Sequence, residues 1–226
     1  MEILNLAKSH EFFKPELCRE RIHIIGCGSV GSTVAELLVR FGLTKITLYD
    51  FDVVEPHNLA NQMFRQEHIG MSKVAALAQM LAEINPEISG NIKLEHEGYS
   101  NQKLSGYVFL CVDSIELRKK IAVDNKNNPY IKAMFDFRTR LSDAQHYAAD
   151  WSDMKMVNDF IRSMNFTHEE AVEETPISAC NVALSVAPTV RMICNYGVVN
   201  FINFVKGDGL KKFIMMDAFG FILDVF

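Results

Sequence analysis

The chain has 226 residues, a formal net charge of −5 and 49% hydrophobic residues. That is enough for one α/β domain with a sizeable core, in the composition of an ordinary globular protein. A basic surplus or basic stripe, the footprint of nucleic-acid binding, is missing.

Residues 1–20 read as a lead-in. Phe12 and Phe13 are expected to pack on the domain, and Pro15 ends local regularity. No secretory leader is expected, because Lys8, Glu11, Lys14 and Glu16 interrupt any apolar core there. The organising stretch runs from Arg21 to Lys73. Ile22-His23-Ile24-Ile25, a short run rich in β-branched residues, passes at once into Gly26-Cys27-Gly28-Ser29-Val30-Gly31. A helical pattern follows (Val34, Leu37, Leu38, Phe41) and closes at Gly42. Lys45 to Tyr49 is a second apolar run and ends on Asp50-Phe51-Asp52. Strand, glycine turn, helix, strand and acid form the first unit of a nucleotide-binding α/β sheet. Gly26 permits the tight turn, Gly28 lets the backbone approach a phosphate, and Gly31 lets the helix pack on the strand. Ser29 opens a helix whose N-terminal N–H groups and dipole suit an anion. Asp50 is placed to accept hydrogen bonds from ribose hydroxyls. The motif says nucleotide without saying which, and a glycine turn that only packs a helix on a sheet is the plain alternative.

The continuation is more specific: Asn58-Leu59, Asn61-Gln62, Arg65, Ile69-Gly70 and Lys73. A dehydrogenase has no need for this polar, cationic segment, whereas an enzyme that holds a triphosphate does. Ser72 is placed to cap a helix running to Asn85, with Val74, Leu77, Leu81 and Ile84 on its buried face and Pro86 as its stop. Lys73, in the first turn, is either a solvated surface lysine or a phosphate ligand. Residues 91–96 read as a third strand. Tyr107 to Val112 is a continuous apolar run, as a buried parallel strand requires. It ends on Asp113-Ser114, and a helix follows through Leu117, Ile121 and Val123. Asp113 stands where open α/β sheets bind ligands; an N-cap is its alternative role, and the two can coexist. Arg118 either pairs with a nearby acid or faces solvent, and receives no functional role. Tyr130 to Phe135 reads as the next strand, with Asp136, Arg138 and Arg140 just beyond it on the ligand side. Gln145 to Ala149 reads as an antiparallel return.

Residues 150–175 turn acidic and contain Trp151, with a helix expected over 154–164. The segment is either a lid or binding loop, or a solvated acidic insertion. Cys180 stands in a run of small apolar residues before a helix, where a thiol can be activated by the dipole; a lone cysteine is more often buried and inert. A helix from Val190 to Val205 is apolar on more than one face, which suits a subunit interface. Arg191, Asn195, Asn200 and Asn203 break the stretch too often for a membrane span. Two strands around Gly220 close the chain. The expected fold is α/β: a Rossmann-like, doubly wound sheet, mostly parallel with antiparallel C-terminal strands, in one domain over 1–226. Five cysteines without a Cys-x-x-Cys spacing point to a reducing compartment, so a cytoplasmic protein is expected.

These residues resemble the ThiF/MoeB/HesA family, relatives of the ubiquitin-activating enzymes. The match lies in Gly26-x-Gly28-x-x-Gly31, Asp50-x-Asp52, Asn58-Leu59-x-x-Gln62, Ile69-Gly70-x-x-Lys73 and Asp113, and it continues from Arg21 to the C-terminus. The resemblance implies ATP and Mg2+ binding and adenylation of a carboxylate with release of pyrophosphate. The acceptor would be the C-terminal glycine of a ubiquitin-like or sulfur-carrier protein, or a peptide. It implies ribose on Asp50 and triphosphate near Asp52, Asn58, Asn61, Gln62, Arg65 and Lys73. It also implies magnesium on Asp113, a thiol that some members use for transfer at Cys180, a crossover loop in 150–175, and a homodimer. Many members hold zinc on Cys-x-x-Cys pairs; Cys18, Cys27, Cys111, Cys180 and Cys194 lack that spacing, so no zinc is expected. The family usually carries Arg immediately before the Gln, where this chain has Asn61, and the spacing to Lys73 is one residue shorter. Arg65 is the candidate to fill that role, against a surface arginine paired with Glu67 or the acidic segment. The alternatives in function are an NAD-dependent oxidoreductase and a catalytically inactive nucleotide-binding scaffold.

Overall fold

In the computed structural model, which describes residues 4–166 and 184–226, one sheet runs in the order β3-β2-β1-β4-β5-β6-β7-β8. Its strands are β1 (Ile22–Ile25), β2 (Ile46–Tyr49), β3 (Lys93–Glu95), β4 (Gly106–Leu110), β5 (Ile131–Thr139), β6 (Asp143–Asp150), β7 (Phe213–Asp217) and β8 (Ile222–Val225). The first five are parallel to one another, and β6, β7 and β8 are antiparallel. β1, β2 and β4 are buried at every position, which explains their unbroken apolar runs. The helices are α1 (Ser29–Arg40), α2 (Lys73–Ile84), α3 (Ile115–Asp124), α4 (Met154–Arg162) and α5 (Ala187–Lys206). α1, α2 and α5 build the core on one face, and α3 and α4 build it on the other. This is the expected doubly wound, Rossmann-like sheet with antiparallel C-terminal strands.

Several boundaries move. β5 extends to Thr139, so Asp136 and Arg138 lie within the strand and not beyond it. β4 ends at Leu110, which leaves Cys111 and Val112 as a link to Asp113. Ser72 stands at the N-cap of α2 without a capping hydrogen bond; its hydroxyl meets the His96 ring at 3.3 Å instead. Of the two lead-in phenylalanines, Phe13 is buried and Phe12 is 60% exposed. The acidic stretch begins as packed structure: α4 buries Val157 and Phe160, and Trp151 is buried with its Nε1–H donating to the Asn125 carbonyl at 2.8 Å. Residues 167–175 and Cys180 lie outside the described residues.

α5 spends one apolar face inside the subunit. Val190, Ile193, Cys194, Val198, Phe201 and Ile202 all face the core. Gly197 sits where a Cβ would come within 2.1 Å of the Phe137 ring, so the helix can approach the sheet only through glycine. Asn200 ties α5 down: its amide bonds the backbone of Lys211 in both directions and donates toward His146 Nε2 at 3.2 Å. Among the described residues, no helix is long and apolar enough to cross a membrane.

Two buried histidines set a pH limit on the fold. His146 Nδ1 lies 3.0 Å from the Asp136 carbonyl and His23 Nδ1 lies 2.8 Å from the Tyr49 hydroxyl. Burial pushes each ring down to about 4. His146 Nε2 faces the Asn200 amide donor, so a proton there meets no acceptor. The unfolded chain takes up these protons near the ordinary value of 6.5, before the folded chain does. Stability is therefore full above that pH and declines as pH falls toward 4, by roughly a few kcal/mol in all. Urea unfolding at pH 7, 5.5 and 4.5 checks this, and a midpoint that stays constant across the interval refutes it.

Candidate nucleotide site

The glycine turn lies between β1 and α1, beside the end of β4. Gly26 adopts φ +96°, and a Cβ there would stand 2.7 Å from the Cys111 carbonyl group and 2.8 Å from the Val112 nitrogen. A Cβ on Gly31 would lie 1.8 Å from the Gly26 carbonyl oxygen. Both glycines are therefore required by backbone packing. Gly28 differs: its side-chain direction meets nothing closer than Gln62 Nε2 at 4.0 Å. It is also the N-cap of α1, and no side chain caps the first turn there. The turn thus offers open space and uncapped N–H groups together, as phosphate binding requires.

Asp50 closes the turn from the side of β2. One carboxylate oxygen accepts from the Cys27 N–H at 2.7 Å and the other from the Asp52 N–H at 2.9 Å. Burial raises its pKa, against the lowering effect of these hydrogen bonds and of Lys73. A bridge between Val53 and Ser72 then folds the chain back, so that the Lys73 N–H donates to the Asp52 carbonyl at 2.9 Å. The Lys73 side chain is only 9% exposed, which excludes a solvated surface lysine, and its ammonium pairs with Asp52 at 2.7 Å. A cation in the first turn opposes the helix dipole and needs an anion nearby. Asp52, half exposed, supplies it.

The polar segment lies against α1. Met63 N–H donates to the Ser32 hydroxyl at 3.2 Å. Asn58 is buried, and its side-chain oxygen accepts from Glu55 N–H at 2.9 Å within a short 3-10 turn. Asn61 is half-buried at the end of that turn. Gln62 brings its amide toward Gly28, and its buried side-chain oxygen has no partner among the described residues. Arg65 is 56% exposed and pairs with Glu83 at 2.9 Å and more loosely with Glu67. This is the surface pairing set out as its alternative, with Glu83 as the main partner.

Asp113 is exposed just past β4. It does not cap α3: Ser114 is the N-cap, its hydroxyl accepting from Leu117 N–H at 3.1 Å. Asp113 uses one oxygen to accept from Ser114 N–H at 2.9 Å, and the other makes no hydrogen bond among the described residues. A magnesium ion on one or two carboxylates plus phosphates fits such a donor set.

Sequence reasoning left open an acid partner for Arg118 but missed the buried three-residue cluster behind this loop. Asp136 is fully buried between Arg118 at 2.6 Å and Arg138 at 2.7 Å. Burial alone would raise its pKa, and the two guanidinium groups overcome that and hold it below the ordinary carboxylate value. Arg138 also bonds the carbonyl and hydroxyl of Ser163 and lies over the Tyr147 ring. The available signal was an arginine on the inward side of α3, which demands an acid opposite.

A cavity of about 720 Å3 opens elsewhere, lined by Tyr107, Asn128, Ile131 and Trp151 among others. These residues flank the amino ends of β4 and β5. Its volume does not make it the nucleotide site, because parallel sheets bind ligands at their carboxyl ends.

The glycines separate folding from binding. Gly28→Ala should fold with a melting temperature close to that of the parent while losing affinity for a triphosphate. Gly31→Ala should unfold or lose several degrees, its Cβ having no room. Thermal scans with and without ATP check both; equal destabilisation in the two variants refutes an open cradle at Gly28.

The ThiF family profile matches residues 4–222. Ubiquitin-like modifier-activating enzyme 5 of Arabidopsis thaliana is 46% identical over 67 residues, 30% of this chain and 16% of that protein. The same-named protein of Drosophila mojavensis is 31% identical over 145 residues, 57% of this chain and 35% of that protein. The chain thus spans about a third or less of the length of these curated relatives. Among solved structures, Escherichia coli MccB with AMPCPP and MccA superposes with a TM-score of 0.70 at 16% identity, over 94% of this chain and 65% of that one. PaaA gives 0.68 at 16% identity, over 97% and 67%. At such identity these structures speak to the fold alone. With its glycine turn, acid-tipped second strand and polar segment lying within the profile match, the chain belongs to the ThiF family.

Proposed function

We propose that the chain is an ATP-dependent adenylyltransferase that activates a carboxylate as an acyl-adenylate and releases pyrophosphate. The observation that carries this reading is the open Gly28 cradle at the uncapped N-terminus of α1, faced by the Gln62 amide nitrogen. The relatives named as ubiquitin-like modifier-activating enzymes and the MccB complex with AMPCPP and MccA support an acceptor that is the C-terminus of a ubiquitin-like protein or a peptide.

In this reading the first turn of α1 receives phosphate, Asp50 receives the ribose, and Lys73 exchanges Asp52 for a phosphate oxygen. Asp113 holds magnesium, which supplies neutralisation of phosphate charge. The incoming carboxylate is already an anion at neutral pH, so no general base is required. Catalysis is positioning and charge stabilisation of in-line attack at the α-phosphorus. The whole chain serves as one adenylation domain.

Arg65 takes the role of the arginine replaced by Asn61. Its pair with Glu83 is exposed and worth ~0–1 kcal/mol, weak enough to yield to phosphate. Arg65→Ala should then cost about 2–4 kcal/mol of transition-state stabilisation, and Asn61→Ala much less. Cys180→Ser should leave this step intact, since it needs no thiol. ATP–pyrophosphate exchange at saturating ATP, with a peptide ending in glycine, measures all three. Equal small losses in Arg65→Ala and Asn61→Ala would return Arg65 to the surface, and absence of exchange in the parent protein would overturn the activity itself.

The same reading includes a homodimer. Because the inner face of α5 is spent on its own sheet, the interface uses apolar residues still exposed, such as Val199 on the outer face of α5 at 54% and Phe51 at 76%. Light scattering at micromolar concentration should give twice the chain mass, and a monomer would refute it.

A further inference from the structure

Arg118 is 6% exposed and belongs to α3, yet most of its hydrogen bonds leave that helix. Its Nε donates to the Val112 carbonyl at 2.7 Å, and Nη2 donates to the same oxygen. Nη1 donates to Asp136 Oδ1 at 2.6 Å and to the Phe137 carbonyl. Two donors on one carbonyl fix the orientation of a peptide that no strand holds, since β4 has already ended at Leu110. The other side of the link is closed by Gly26, against which Cys111 and Val112 pack. The next residue is Asp113.

The cost of this arrangement points beyond stability. A fully buried carboxylate with two guanidinium groups incurs a desolvation penalty that apolar residues of similar volume would avoid. Apolar residues, however, cannot donate to the Val112 carbonyl. What the cluster supplies is direction. Asp113 itself is exposed and held within the protein by one bond to Ser114 N–H, so its direction is inherited from the backbone before it.

We propose that Arg118 is a positioning residue for the Asp113 carboxylate, acting through the Val112 carbonyl and anchored on β5 by Asp136. The assignment rests on the Mg-ATP reading of the site. Arg118 touches neither nucleotide nor metal; it sets where the metal-binding carboxylate points. Outer contacts of this kind typically change metal affinity by about ten-fold or more when lost.

The test is the magnesium dependence of binding of a non-hydrolysable ATP analogue, measured by calorimetry on the full chain. Arg118→Lys keeps the charge and loses the paired donors. It should raise the magnesium concentration at half-effect about ten-fold, while analogue binding in EDTA stays as in the parent. Arg138→Lys, which loosens the same cluster without touching Val112, should stay within about two-fold of the parent. Combined with Asp113→Asn, the Arg118→Lys change should add nothing further, because both act on one carboxylate. Should Arg118→Lys fail to fold, Asp136→Asn loosens the anchor of Arg118 and should shift the half-point in the same direction. An unshifted half-point in a folded Arg118→Lys or Asp136→Asn protein overturns the assignment. So does an equal shift in Arg138→Lys, or additivity with Asp113→Asn. A parent protein that binds no analogue at any magnesium level overturns instead the Mg-ATP reading beneath it.

Discussion

The site depends on one close approach, the packing of Gly26 against the Cys111–Val112 peptide. β1 and β4 are neighbours in the sheet, and Cys111 N–H continues their ladder to the Ile25 carbonyl at 2.8 Å. At that point the chain order of the sheet reverses, and a crevice opens at the carboxyl ends of the strands. With no Cβ at residue 26, the turn descends onto the β4 link and α1 starts next to it. A larger residue would displace the turn from the link and separate the phosphate cradle from Asp113. Gly31 makes the matching approach one helical turn on, against the carbonyl of Gly26 itself.

Charge is arranged around this crevice in pairs that do not cancel at the same point. Asp50 is occupied by backbone N–H groups, so Asp52 is left to meet Lys73. Lys73 is buried at a helix start, where both the dipole and desolvation oppose a cation. Its pair with a half-exposed acid is therefore exchangeable in a way that a pair inside the core is not. The Arg118–Asp136–Arg138 cluster is the contrasting case: it is closed to solvent and built to stay in place.

Much of this was legible in the sequence because it rests on local chemistry. The strand–turn–helix–strand unit follows from apolar runs and glycine spacing, and the antiparallel end from alternation after Lys212. The burial of Lys73 was not legible, since it depends on a backbone bridge between Val53 and Ser72, nineteen positions apart. The role of Arg118 was hidden for the same reason, because its partner Asp136 lies on β5, a separate element. α5 was legible only in part: a helix apolar on several faces looks the same in sequence whether it covers its own sheet or another subunit. Gly197 lets one face sink against Phe137, while Val199 on another face stays exposed.

Trp151 is the only tryptophan in the chain. Its indole is buried edge-on to Phe160 and bonded to Asn125, on the face of the sheet covered by α3 and α4. It stands at the amino ends of the parallel strands, with the sheet's length between it and the glycine turn. Native emission should accordingly lie to the blue and shift red when the α4 face opens. Intrinsic fluorescence excited at the indole therefore reports on the integrity of that packing, and occupancy of the nucleotide crevice has to be followed by another signal.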